Sequence, residues 1–259
     1  MTFSIIGTGN IAWFLGNRLV AGHHRCTGVY GRNADKAREL AGALLSDKYG
    51  EISDFRDGDA DICFLTVSDA AIAGVSLQLR LKETVLVHTA GAVGLDAIDA
   101  AAQDRAVLWP VYSITKNNLP VHRNVPCAWE ASSPRAARFV QSAAHAVTDQ
   151  YFEAKYEQRK WLHLSAVIGN NFVNHLMAIC EQICKENKLE FSVLTPILEQ
   201  TFERIKHISP HAAQTGPAIR RDTTTIQGQM LLLGSHPQWQ RIYEAMTASI
   251  QANDFNNFS

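Results

Sequence analysis

Up to about residue 150 the chain alternates short apolar runs with stretches whose apolar residues recur every three or four positions. The first run, Phe3-Ser4-Ile5-Ile6, stops at Gly7; Ile11, Phe14, Leu15 and Leu19 then follow at helical spacing. Further runs at Cys26–Tyr30, Asp61–Val67, Thr84–His88, Ala106–Trp109 and Pro126–Glu130 read as strands. Helices are expected over Ala34–Leu45, after Asp69 as cap, and over Pro134–Ala146. Strands separated by helices predict a doubly wound, mostly parallel α/β sheet. From Tyr151 the strand pattern stops. One helix is expected from about Glu153 to Asn187, because no proline interrupts it, and others over Thr195–His207 with Thr195 as cap, Thr223–Leu233 and Pro237–Gln251. The polar tail Asn253–Ser259 is expected to fray. The division this implies is an α/β domain over 1–150 and an all-helical domain over 151–259.

The turn after the first strand carries chemistry. Gly7-Thr8-Gly9-Asn10-Ile11-Ala12 follows the pattern Gly-x-Gly-x-x-Ala. Gly7 permits a tight turn, Gly9 lets the backbone approach phosphate, and small Ala12 lets the helix pack on the strand. The helix N-terminus supplies free N–H groups and a positive dipole end. Gly7, Thr8, Gly9, Asn10 and Ile11 are therefore the expected pyrophosphate site of a dinucleotide. After the second strand the chain reads Gly31-Arg32-Asn33, with no carboxylate at the strand end. An acidic residue there would bind a ribose 2′-hydroxyl, whereas arginine suits a 2′-phosphate. Arg32, with Asn33 as a further donor and Lys36 one turn on, thus selects NADP over NAD. The missing acid also argues against an S-adenosylmethionine methyltransferase.

Composition narrows the remaining classes. Of 259 residues 46% are hydrophobic and 19% charged, which suits a soluble globular protein. The net charge of −1 gives no electrostatic case for nucleic acid or an anionic membrane surface. No signal peptide and no membrane-length apolar segment is read, so a cytoplasmic protein is expected. The five cysteines form no Cys-x-x-Cys pair, so no metal site is expected and the thiols read as free.

Hydride transfer needs a proton donor or acceptor beside the reacting atom, and groups that fix the substrate. His88 ends a strand, where it either meets substrate and relays a proton or caps the strand by bonding to backbone. Trp109-Pro110-Val111-Tyr112-Ser113 ends the next strand and forms a cleft wall. At 100° per residue, Lys160, His163, Asn170, Asn171 and Asn174 share one arc of the long helix. This stripe is either a solvated face or one side of a wet cleft. In a cleft, His163 is the acid/base candidate, Asn171 orients substrate, and Lys160 binds a carboxylate or acts as the acid. Thr215–Asp222 offers Arg220 as a clamp for an anionic substrate or the cofactor, with Asp222 as helix cap the plainer reading. A protein that holds NADP without turnover, as a sensor, is the alternative to an enzyme.

These segments together resemble an NADP oxidoreductase-like family of the 6-phosphogluconate dehydrogenase-like superfamily. The resemblance rests on Gly7–Ala12, Gly31-Arg32-Asn33, Val67-Ser68-Asp69, His88–Gly91, Lys160-x-x-His163-x-x-Ala166-Val167, Asn171-Phe172 and Thr215–Arg220-x-Asp222. It implies a Rossmann-like N-terminal domain, a helical C-terminal domain, Val67 and Ser68 beside the cofactor, and a homodimer packed through the helical domain. The chain departs from the family at Trp161, where a smaller or tyrosine-like residue is usual, and at Arg221, where glycine is usual. Lys160 and Asn171 are not one turn apart, so the lysine–asparagine pairing of related hydroxy-acid dehydrogenases does not transfer.

Overall fold

The computed structural model describes residues 1–79, 81–99 and 101–252; the predicted fraying of Asn253–Ser259 lies outside them. Residues up to Gly169 form one compact unit and those from Asn170 a second.

The first unit is built on an eight-stranded sheet: β1 (Thr2–Ile6), β2 (Arg25–Tyr30), β3 (Tyr49–Gly50), β4 (Ile62–Leu65), β5 (Val85–His88), β6 (Arg105–Pro110), β7 (Cys127–Ala131) and β8 (Tyr151–Glu153). They lie in the order β3-β2-β1-β4-β5-β6-β7-β8. The strands from β3 to β6 are parallel, β7 runs antiparallel to β6, and β8 is parallel to β7. Helices α1 (Asn10–Ala21), α2 (Ala34–Ala43), α3 (Ile72–Ser76) and α4 (Pro134–Val147) cross over between strands. This is the doubly wound, mostly parallel sheet that the sequence predicts.

Alternate residues of the strands feed two separate cores. Phe3, Ile5, Phe64, Val87 and Leu108 face α1, α2 and α4. Ile6, Cys63, Leu65 and Leu86 face α3. Parallel strands covered on both sides must be apolar throughout, which is why β4 and β5 read as unbroken runs. Leu44 and Ile5 crowd Gly16 in α1: a Cβ there would stand 2.6 Å from a Leu44 methyl, so α1 lies close upon the sheet and α2.

Three expectations change. β8 extends the sheet past residue 150, so the strand pattern does not stop at Tyr151 and the first unit runs on to Gly169. Its three residues are all exposed and show no alternation, which hid the strand. The long helix is three pieces: α5 (Tyr156–Ala166), a π-helical stretch Val167–Phe172, and α6 (Val173–Glu186). Asp69 sits inside a short 3₁₀ turn, Asp69–Ala71, and does not cap it by its side chain.

The second unit continues with α7 (Thr195–Arg204), α8 (Thr223–Leu232) and α9 (Pro237–Ala252). Thr195 is the first residue of α7 rather than its cap. His236 bonds Glu186 at 2.8 Å, and Gln240 donates to the Met230 carbonyl at 2.8 Å, which ties α9 to α6 and α8. Among the described residues of this unit only Cys184 and Ala218 are buried, while Leu231 and Leu232 are 80% and 82% exposed.

Candidate active site

The ends of β1, β2 and β4, with the starts of α1 and α2, build a groove of about 550 Å³. Gly7 turns the chain from β1 into α1 at φ +117°, and its amide donates to the Tyr30 carbonyl at 2.8 Å. A Cβ at Gly7 would stand 2.5 Å from the Thr66 carbonyl oxygen, so both backbone angle and neighbour demand glycine. Gly9 is different. A Cβ there would meet nothing nearer than the Thr66 oxygen at 4.0 Å, so the fold itself does not demand glycine at this position. Gly9 occupies the cap position of α1 without a side-chain acceptor, which leaves first-turn N–H groups free for an anion.

The far wall carries positive charge. Arg32 and Lys36 line the groove with Gly31 and Asn33. Asn33 accepts from the Lys36 amide at 2.9 Å and so caps α2, while its NH₂ can still donate to a ligand. The nearby Asp35 is turned to Arg38 at 3.1 Å. Among the described residues no carboxylate pairs with Arg32 or Lys36. Two unpaired cations beside a helix N-terminus match a multiply charged phosphate ligand.

Of the residues expected at the cofactor, Gly7, Thr8, Gly9, Arg32, Asn33, Val67 and Ser68 all line this groove. Asn10 and Ile11 do not. The Asn10 carboxamide accepts from the Lys116 amide at 2.9 Å, which pins the β6–β7 loop on the start of α1, and Ile11 packs toward the core. Sequence reasoning missed Ile6, Ile52, Thr66, Ala71 and Val75 in the lining. Thr66 could have been found from its place, one residue beyond β4 and directly beside the β1 turn.

His88 is buried completely at the end of β5. Its Nε2 donates to the Gly94 carbonyl at 3.2 Å, and its Nδ1 accepts from the Ala90 amide at 3.2 Å. Desolvation, with Arg159 nearby, pushes its pKa down to about 4. With both nitrogens engaged, this ring holds the turn Thr89–Gly94; of the two readings of His88, the geometry supports the one bonded to backbone.

His163 is half-buried on α5, and its ring lies 5.7 Å from that of Trp109 on β6, tilted by 45°. Arg159, one turn earlier on the same face, is wholly buried. It pairs with Glu130 on β7 and donates to the Ala154 and Val93 carbonyls, both at 2.9 Å. This clamp, which the sequence did not reveal, fixes the phase of α5 so that His163 meets the sheet. Lys160 is half-exposed and pairs with Glu157.

The model for a domain of unknown function, DUF2520, matches residues 125–250. A structure from Bacteroides fragilis described as a putative NADP oxidoreductase is 30% identical, covering 97% of this chain and 98% of that one, with a TM-score of 0.88. The chain belongs to this NADP oxidoreductase-like family. A Thermotoga maritima protein at 21% identity (99% and 100% covered, TM-score 0.75) shares the fold. So does a 1-pyrroline-5-carboxylate reductase from Streptococcus pyogenes at 15% identity, 97% and 98% covered, TM-score 0.63. No curated protein matches by sequence.

The family's other landmark residues fall in or beyond the π-helical stretch. Asn170 and Asn171 lie within Val167–Phe172, both exposed, and Asn170 Nδ2 donates to Asn171 Oδ1 at 3.2 Å. A π turn takes an extra residue, so the stripe counted at 100° per residue does not carry from His163 to Asn171 and Asn174. Asp222 caps α8, with Oδ1 accepting from the Thr225 amide at 3.0 Å, as its plainer reading expects. Arg221 has φ +53°, a left-handed conformation that explains the family's usual glycine there. Arg220 is exposed just ahead of the cap.

Proposed function

We propose that the protein is an NADP-dependent oxidoreductase acting on a small, carboxylate-bearing substrate. The observation that carries this reading is the pair of unpaired cations, Arg32 and Lys36, across a groove from the free N–H groups of α1. The start of α1 would hold a pyrophosphate, and Arg32 and Lys36 would hold a ribose 2′-phosphate. The reduced nicotinamide, when bound, supplies a hydride. The carboxyl ends of β5 and β6 lie beyond β4 in the sheet order, so Trp109 and His163 stand on the side where a dinucleotide held at β1 would present its nicotinamide.

In this reading His163 gives and takes the proton, since an imidazole nitrogen can donate or accept one beside the reacting atom. Lys160 holds the substrate carboxylate in exchange for Glu157, an exposed partner whose loss costs under about 1 kcal/mol. His88 supports the Thr89–Gly94 turn rather than moving a proton.

The helical unit's exposed apolar side chains, with so few residues buried, support a homodimer through that unit. Five free thiols suit a reducing cytoplasm.

Replacing His163 tests the assignment. His163→Ala leaves NADPH affinity near that of the parent while turnover falls by roughly 10²–10⁴-fold, the usual loss of a general acid/base. Unchanged turnover removes His163 from the mechanism.

A further inference from the structure

We infer that Trp109 donates a hydrogen bond to the reacting atom, and that the group reduced is a carbonyl rather than an imine. The inference rests on the reading of His163 as the acid and names the substrate class for that site. Trp109 is the penultimate residue of β6, at the end of the sheet that faces the substrate. Its indole packs against the backbone of Gly91, where any Cβ would overlap the ring, and against the His163 imidazole. The side chain is only 8% exposed, yet its Nε1–H bonds no group among the described residues and is not sealed from solvent. The two nitrogens of His163 are likewise without partners among those residues.

The neighbouring histidine and arginine are held by the protein. His88 is bonded through both nitrogens, and the Arg159 guanidinium is held by Glu130, Ala154 and Val93. Between them and the open end stands a fixed indole N–H next to an imidazole. Indole donates and never accepts; an imidazolium donates from both nitrogens.

Such a pair suits an oxygen. A carbonyl oxygen has two lone pairs and accepts from both rings at once. As the carbonyl carbon accepts a hydride from the reduced nicotinamide, which is thereby oxidised, the C=O π pair moves to oxygen. The proton comes from the His163 imidazolium, which is left as neutral imidazole, and the product is an alcohol. Trp109 keeps its N–H and stabilises the charge that develops on oxygen, in the manner of an oxyanion-hole donor. An imine nitrogen has one lone pair, which protonation consumes. The iminium N–H would then face the indole N–H, donor against donor.

The test uses the full chain with saturating NADPH. Glyoxylate and pyruvate serve as carbonyl probes, and 1-pyrroline-2-carboxylate and 2-methyl-1-pyrroline as imines. Carbonyl reduction is expected, and Trp109→Phe, which keeps a ring but loses the donor, lowers kcat/KM on the carbonyls by about 10²-fold with NADPH affinity unchanged. In ¹H–¹⁵N spectra of the unsubstituted protein with NADP⁺, the indole resonance absent from Trp109→Phe or Trp109→Tyr shifts on titration with oxamate. Reduction of imines alone, unchanged kcat/KM in Trp109→Phe, or an unmoved indole resonance each overturns the inference. If His163→Ala slows turnover and Trp109→Phe does not, the acid role of His163 stands and only this inference fails.

Discussion

Arg159 and Glu130 form an ion pair in which the guanidinium is wholly buried and the carboxylate side chain is 16% exposed. The pair joins the first turn of α5 to β7, and two backbone carbonyls complete the guanidinium's bonds apart from Nε. Such a pair holds geometry more than it adds stability, because desolvation of both charges offsets their attraction.

Removing one partner should therefore cost more than removing both. Arg159→Met leaves Glu130 facing an apolar site and should destabilise the fold by about 3–5 kcal/mol. Arg159→Met with Glu130→Met should recover most of that loss in urea unfolding while still lowering turnover, because His163 loses its fixed phase. Equal losses in the single and double variants would show that the pair itself stabilises the fold.

Gly7 and Gly9 should separate folding from binding. Gly7→Ala places a Cβ 2.5 Å from the Thr66 carbonyl at a positive φ, so the melting temperature should fall by several degrees. Gly9→Ala meets no protein atom within 4.0 Å, so melting should hardly change while NADPH affinity drops at least tenfold. Thermal melts and a fluorescence titration of both variants decide the matter; intact NADPH binding in Gly9→Ala would place the phosphates elsewhere.

His88 should make the fold sensitive to acid. Its pKa is about 4 in the folded protein, against about 6.5 in an unfolded chain. The unfolded state therefore binds the extra proton first. Stability from this group is fully present above pH 6.5, falls as pH drops from there, and is gone below about pH 4, a loss of about 3 kcal/mol. Urea unfolding between pH 7 and pH 4 should show this slope, and His88→Asn should flatten it. A slope equal in both proteins would assign it to other groups.

The parts of the molecule that were legible in the sequence are those where burial dictates residue type. β4 and β5 are sandwiched between helices, so Ile62–Leu65 and Val85–Val87 had to be apolar and were readable as strands. The glycine turn was equally legible, because φ +117° at Gly7 leaves little alternative. β8 was not, since edge strands bear no burial pattern and Tyr151, Phe152 and Glu153 are all exposed. The π-helical stretch was hidden for another reason: one added residue per turn alters no local preference, yet it rotates all that follows. Arg159 was hidden among Glu157, Gln158 and Lys160, neighbours that read as a solvated face. Its burial depends on Glu130, 29 residues earlier, and no local pattern connects the two.

Titration of the protein with NADPH and with NADH, before and after Arg32→Asp, tests the central claim most directly. The unsubstituted chain should bind NADPH at least tenfold more tightly than NADH, because Arg32 and Lys36 meet the 2′-phosphate. Arg32→Asp should reverse or abolish that preference while leaving NADH affinity within a few-fold. Equal affinities before substitution, or equal losses after it, would contradict the assignment of this groove to NADP.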